Sequence, residues 1–270
     1  MESDRFDWLT AHLAQGLTRR RGLGLLVAIG AAPALSQEIE AGKHKKGKHK
    51  KGKKNKNKGG GGTAGCTPQA VAQTCAGRCG TFSDNCGNGV ACTCPQGQCC
   101  RGDGTCGACL VFVTSTRPQG DFGGLSGADG LCQGHATGAG LSGTYLAWLS
   151  DSTGASPSTR FTKATVPYTL VDGTVIADNW SDLTSGTLNH AINMTEDGGN
   201  ITTTSAKVWT HTSADGTTST EIPPEWCCHN WRSTSDVGTL GNASLASSSW
   251  SSDYYQSCSE KARLYCFQQP

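Results

Sequence analysis

SGADGLCQGHATGAGLSGTYLAWLS, residues 126–150, carries most of what the chain says about its architecture. Ser126-Gly127-Ala128-Asp129 has the form of a capping box, and Ala128, Leu131, Cys132, His135 and Ala139 recur close to helical spacing. The pattern predicts a helix with one buried face and a cysteine on that face. Tyr145-Leu146-Ala147-Trp148-Leu149 follows as a second ordered apolar segment, and a loop rich in Ser, Thr, Gly and Pro closes it.

Upstream, Leu110-Val111-Phe112-Val113 is a short continuous apolar run of the kind that forms a strand buried on both faces. Downstream, Tyr168–Val171, Asp172-Gly173 and Thr174–Ile176 predict a hairpin, because Asp-Gly supplies the backbone conformation of a tight turn. Lys207–Thr210 and Arg263–Phe267 predict two further strands. Short strands, long loops and few helices define an α+β domain.

The blocks Gly127-Ala128-Asp129-x2-Cys132 and Gly140-Leu141-x-Gly143-Thr144-Tyr145-x-Ala147-Trp148-Leu149-Ser150 resemble the opening of endostatin. Val171-Asp172-Gly173, Val175, Trp180, Val208-Trp209, Asp215-Gly216, Cys228-x2-Trp231-Arg232, Cys258 and Leu264-x-Cys266 follow in the same order. The chain also resembles a bacterial domain family of unknown function, found in exported proteins and classed with endostatin and C-type-lectin-like folds. The resemblance implies a C-type-lectin-like, endostatin-like domain over 110–270. It further implies two nested bridges, Cys132–Cys266 outside and Cys228–Cys258 inside, and assigns no bridge to Cys227. Endostatin's zinc-binding histidines have no counterpart at the start of this domain, and its heparin-binding arginines are largely missing.

Residues 66–109 hold ten of the fifteen cysteines. So short a segment cannot fold on hydrophobic burial alone, and an even cysteine count predicts a small disulfide-rich domain whose connectivity spacing does not give. A zinc site on Cys75-x3-Cys79 and Cys92-x-Cys94 is disfavoured because the segment has no histidine. Cys94–Cys100 with Cys106 resembles the core of hevein-type modules, but the loop Arg101–Thr105 has no aromatic ring to stack on a sugar.

Residues 35–65 read as a disordered basic linker: Lys43–Lys58 has ten lysines and no apolar residue. Removing those ten from the net charge of +2 leaves −8, so a basic tail precedes an acidic body. Residues 1–34 read as a twin-arginine signal, with Arg19-Arg20-Arg21, an apolar run from Leu23 and the small-x-small site Ala32-Pro33-Ala34. The run is too short to span a bilayer, so no transmembrane helix is expected in the mature chain. The expected location is secreted or cell-surface, where thiols oxidise.

No catalytic motif is legible. His135, His190, His211 and His229 are scattered, and the acidic residues Asp172, Asp178, Asp182, Glu196 and Asp197 sit in turn-like contexts. The chain is therefore read as a non-catalytic binding or surface-adhesion module for a carbohydrate, cell-envelope polymer or protein. Its competitors are a secreted polysaccharide hydrolase and a structural envelope protein. No cofactor is expected; calcium is the one metal the fold invites, with Asp178-Asn179-Trp180 and Asn230-Trp231 as its oxygen-rich stretches. The Lys-rich linker points to anionic surfaces, and no nucleic-acid partner is expected. Trp148, Trp180, Trp209 and Trp231 are assigned to the core, Trp226 and Trp250 to a ligand surface.

Overall fold

The computed structural model describes residues 65–220, 223 and 226–270. The stretches read from sequence as a signal and a basic linker, up to residue 64, lie outside the described residues. The described residues form one compact unit, so the cysteine-rich segment is built into the body instead of standing off as a separate module.

That segment is spare. A single helical turn, α1 (Val71–Thr74), precedes the hairpin β1 (Gly80–Ser83) and β2 (Gly89–Cys92), and a two-residue ladder joins β3 (Cys99–Cys100) to β4 (Cys106–Gly107). Between residues 65 and 109 the only buried hydrophobic side chains are cysteines: Cys79, Cys92, Cys99 and Cys109. Five bridges replace a core: Cys66–Cys86, Cys75–Cys92, Cys79–Cys100, Cys94–Cys106 and Cys99–Cys109. The sulfurs of Cys79, Cys94 and Cys106 come within 4.8 Å of one another, the spacing of a metal cluster, but each is spent in a bridge and none is a thiolate. Arg101–Thr105 is a tight turn in which Asp103 accepts from the Thr105 amide at 3.0 Å.

The rest is organised around β5 (Cys109–Val113). The helix α2 (Leu125–Gly138), β6 (Thr144–Ala147), the turn α3 (Pro157–Arg160), β7 (Tyr168–Thr169), β8 (Val175–Ala177) and the turn α4 (Trp180–Leu183) follow it. They are succeeded by β9 (Lys207–Trp209), β10 (Val237–Asn242), β11 (Tyr254–Ser257) and β12 (Tyr265–Gln269). Five strands pair in the order β6-β12-β5-β7-β8, with β5 parallel to β7 and the other pairs antiparallel; β11-β10-β9 make a second, antiparallel sheet. The predicted hairpin is β7–β8, closed where the Leu170 carbonyl accepts from Gly173 at 2.9 Å and Asp172 accepts from the Thr174 amide at 2.9 Å.

The continuous apolar runs mean burial on both faces. Val111, Val113, Tyr265 and Phe267 point into one cluster with Trp148, Phe161, Tyr168, Ile176 and Trp250. Their neighbours Phe112, Leu264 and Cys266 point into another, with Ala128, Cys132, Ala136, Tyr145 and Ala147. Trp148 centres the first: its ring lies 4.8 Å from Trp250 and 5.3 Å from Phe267, and its Nε1 donates to Ser251 Oγ at 2.7 Å.

The helix corrects the sequence reading in two respects. It starts at Leu125, with no side-chain cap on Gly124, so Ser126 lies inside it and Asp129 does other work. The Asp129 carboxylate takes the Ala147 amide at 2.9 Å and the Arg160 guanidinium at 2.6 Å, joining α2, β6 and α3. The buried stripe is Ala128, Cys132 and Ala136, one turn apart each time; Leu131 and His135 are half-buried and Ala139 is exposed. Cys132 bridges to Cys266 and fastens the helix to β12, an inner strand of the sheet.

Cys228 bridges to Cys258. Cys228, His229, Asn230 and Trp231 all have left-handed backbone, φ from 50° to 62°, an arrangement that side chains disfavour and that persists only when its surroundings fix it. Here they do. The Trp231 carbonyl takes the Gly123 and Gly124 amides, its Nε1 donates to the Ser150 carbonyl at 2.7 Å, and its ring stacks on Phe122 at 5.4 Å. A β-carbon at Gly120 would overlap Cys228 Sγ, which is why the chain beside this bridge is glycine. Cys227 is a buried thiol whose Sγ lies 3.3 Å from Asn230 Oδ1, and burial pushes its pKa up.

Candidate functional site

Two places on the surface of this scaffold gather side chains with chemistry. The first is on the small sheet. β11 is an edge strand, Tyr255 on it is 38 % exposed, and the half-buried Trp226 meets Tyr255 edge to face at 5.8 Å. At the preceding position of the strand, whose side chain points to the other face, Lys207 Nζ lies over the Tyr254 ring at 5.5 Å. Trp250, the other tryptophan assigned to a ligand surface, is wholly buried. Its flanking serines misled: Ser251 is itself buried, donating from Oγ to the Thr212 carbonyl while accepting the Trp148 indole, so that polar run folds inward around the ring.

The second place is where α2 ends. The Val113 amide donates to the Met194 carbonyl at 2.9 Å, and this register sets Ser115 and Thr116 beside Glu196. Glu196 sits in a tight turn in which the Thr195 amide donates to the Gly199 carbonyl and Asp197 accepts from the Gly199 amide. The Glu196 carboxylate, 8 % exposed, accepts the Ser115 amide at 2.9 Å, the Ser115 hydroxyl, and His135 Nδ1 at 2.5 Å. His135 Nε2 lies 2.8 Å from the Thr116 hydroxyl, and Thr116 is exposed. A groove of about 450 Å³ opens beside this chain of groups, lined by Gly130, Leu131, Gly134, His135, Glu196 and Asp197.

The protonation pattern follows from the donor inventory. A carboxylate only accepts, so Nδ1 carries the ring proton; in the neutral ring Nε2 is then the acceptor, and the Thr116 hydroxyl donates to it. A hydroxyl, an imidazole and a carboxylate thus stand in line, each oriented by the next.

Residues 110–269, the whole of this two-sheet domain, match the Collagenase NC10 and Endostatin family. The chain belongs to the endostatin family. That family is one of binding-type modules and is generally non-catalytic. No curated protein matches the chain. Among the endostatin-like blocks, Cys132, Cys266, Cys228 and Cys258 fall in the two bridges, and Trp148, Trp209 and Trp231 are fully buried.

Several of the remaining sequence candidates are occupied. Asp172 closes the β7–β8 turn, Asn179 caps α4 by accepting the Asp182 amide at 3.1 Å, and Asp182 accepts from the Asp178 amide at 2.8 Å. Asn230 accepts from Ser152 through both its amide and its hydroxyl. Hydrogen bonds from the Thr174 and Thr195–Gly199 turns hold the Asp172 and Asp197 carboxyls below the usual carboxylate range. In the stretches weighed for calcium, Asn179 Oδ1 is thus engaged as a helix cap and Asn230 Oδ1 by Ser152. His211 is buried, and burial pulls its pKa down to about 4. Sequence reasoning named His135 and Glu196 without connecting them, and passed over Thr116.

Proposed function

We propose that the chain is an exported binding or surface-adhesion module, carried through the twin-arginine route and recognising a carbohydrate or a protein. Seven disulfides belong to an oxidising compartment, and among the described residues no helix is long and apolar enough to cross a membrane. The observation that carries the reading is the Trp226–Tyr255 pair on the β11 edge. Flat rings at a surface, held by a rigid sheet, are the group on which a sugar face or an apolar side chain packs. The basic segment Lys43–Lys58 adds a salt-sensitive attraction to anionic cell-surface polymers.

The glycosidase alternative draws no support from Asp172 and Asp197, which close turns, or from Asp182, which accepts the Asp178 amide. The test is a glycan and envelope-polymer binding screen on the secreted protein, with Tyr255→Ala and Trp226→Ala as controls. Binding that survives chelation and falls at least tenfold in both variants supports the module. Binding indifferent to both variants removes the aromatic surface from the account, and binding to nothing leaves a structural envelope component.

A further inference from the structure

We propose that Thr116 is a nucleophile, and that the groups around it accept and hydrolyse the acyl group of a small ester. This step does not depend on the ligand of the aromatic surface. Its basis is the alignment Thr116 Oγ1 to His135 Nε2 at 2.8 Å and His135 Nδ1 to Glu196 at 2.5 Å. A clasp meant only to bury Glu196 would not need it, since Ser115 already serves both carboxylate oxygens. The exposed Thr116 hydroxyl buries nothing, and what it gains is a base within hydrogen-bond reach.

The reaction balances with water alone. Thr116 Oγ1 bonds to the ester carbonyl carbon while its proton passes to His135 Nε2. The tetrahedral adduct then breaks its bond to the alcohol oxygen, and Nε2 returns the proton to that oxygen, leaving acyl-Thr116 and a free alcohol. Water repeats the sequence: its oxygen bonds to the acyl carbon, its proton passes through Nε2, and the bond to Oγ1 breaks, releasing a carboxylic acid and restoring the threonine. Glu196 is a positioning residue, holding the ring with Nδ1 protonated. The Thr116 and Arg117 amides donate to no backbone carbonyl among the described residues. The groove runs along His135 and Glu196, and its wall is α2 at Gly130 and Gly134, where an added β-carbon would meet nothing within 4 Å.

The probe is p-nitrophenyl acetate on the full oxidised chain, with release of nitrophenol and tandem mass spectrometry of the Thr116 peptide as readouts. The expected result is an acetyl group on Thr116 and a release rate at least tenfold above that of Thr116→Val, with Thr116→Ser retaining the activity. Glu196→Gln lowers the rate at saturating ester and leaves the half-saturating concentration unchanged. Equal rates for the wild type and Thr116→Val, or release that proceeds with Thr116 unmodified, overturn the proposal. Thr116 is exposed, so its valine variant keeps the fold on which the comparison rests.

Discussion

Residues 65–109 and residues 110–270 reach a fixed structure by opposite means. The first segment buries almost nothing except its own cysteines and is closed by five bridges, whereas the second buries four tryptophans completely and needs only two. Burial scales with size, so a segment of this length cannot offset chain entropy by transfer of apolar surface. It also leans on its larger neighbour. Cys99 and Cys109 sit in the main core, the Gly97 carbonyl accepts the Thr165 amide at 2.9 Å, and Gln268 donates to the Cys100 carbonyl at 2.7 Å. Here cross-links substitute for a core, and the neighbouring core gives the segment a surface to dock on.

The contrast can be broken most severely inside the larger region. Cys132–Cys266 closes 134 residues, and in the loop-entropy picture its removal as Cys132→Ser with Cys266→Ser costs about 5 kcal/mol. Chemical denaturation should show that loss for the whole domain, whereas removing Cys66 and Cys86 should leave the domain's midpoint in place. A smaller effect comes from acid. His211 has an ordinary pKa of 6.5 unfolded and about 4 folded, because burial disfavours the imidazolium; Asp151 opposes the shift weakly. Between those values the unfolded chain binds the proton that the native chain refuses. Stability is therefore complete above pH 6.5 and declines by about 3 kcal/mol as pH falls toward 4. His211→Gln should flatten that slope in a pH series of unfolding curves. The smallest effect is expected at Cys227, where Cys227→Ala removes one buried thiol and should cost about 1 kcal/mol, with both neighbouring bridges intact by non-reducing peptide mapping.

What was legible in the sequence was what local pattern determines. β5, β9, β12 and the β7–β8 hairpin show as apolar runs or Asp-Gly turns, and the two bridges of the domain followed from the endostatin likeness. β10 and β11 did not show. Val237-Gly-Thr-Leu-Gly-Asn has no clean alternation, and its glycines are there because Gly238 packs on Trp209 and Gly241 on the Trp250 carbonyl, contacts that only the folded chain reveals. The five bridges of the first segment were equally hidden, since many pairings satisfy the same spacing. Trp250 was misplaced because its serine neighbours look solvated. Thr116, His135 and Glu196 lie 19 and 61 residues apart, and only the pairing of Val113 with Met194 brings them together. The available signal was weak: a helix-end histidine and a glutamate next to an Asp-Gly turn.

Graded reduction with alkylation at each step, followed by mass spectrometry, tests the division of labour most directly. Cys66 is exposed, whereas Cys132, Cys266, Cys228 and Cys258 are wholly buried, so Cys66 and Cys86 should be labelled first and those four last. Hydrogen exchange should show residues 66–109 losing protection while Val111–Val113 and Tyr265–Gln269 keep theirs. Labelling of Cys132 and Cys266 in step with Cys66, or protection that survives in residues 66–109 after their bridges have opened, would contradict the account.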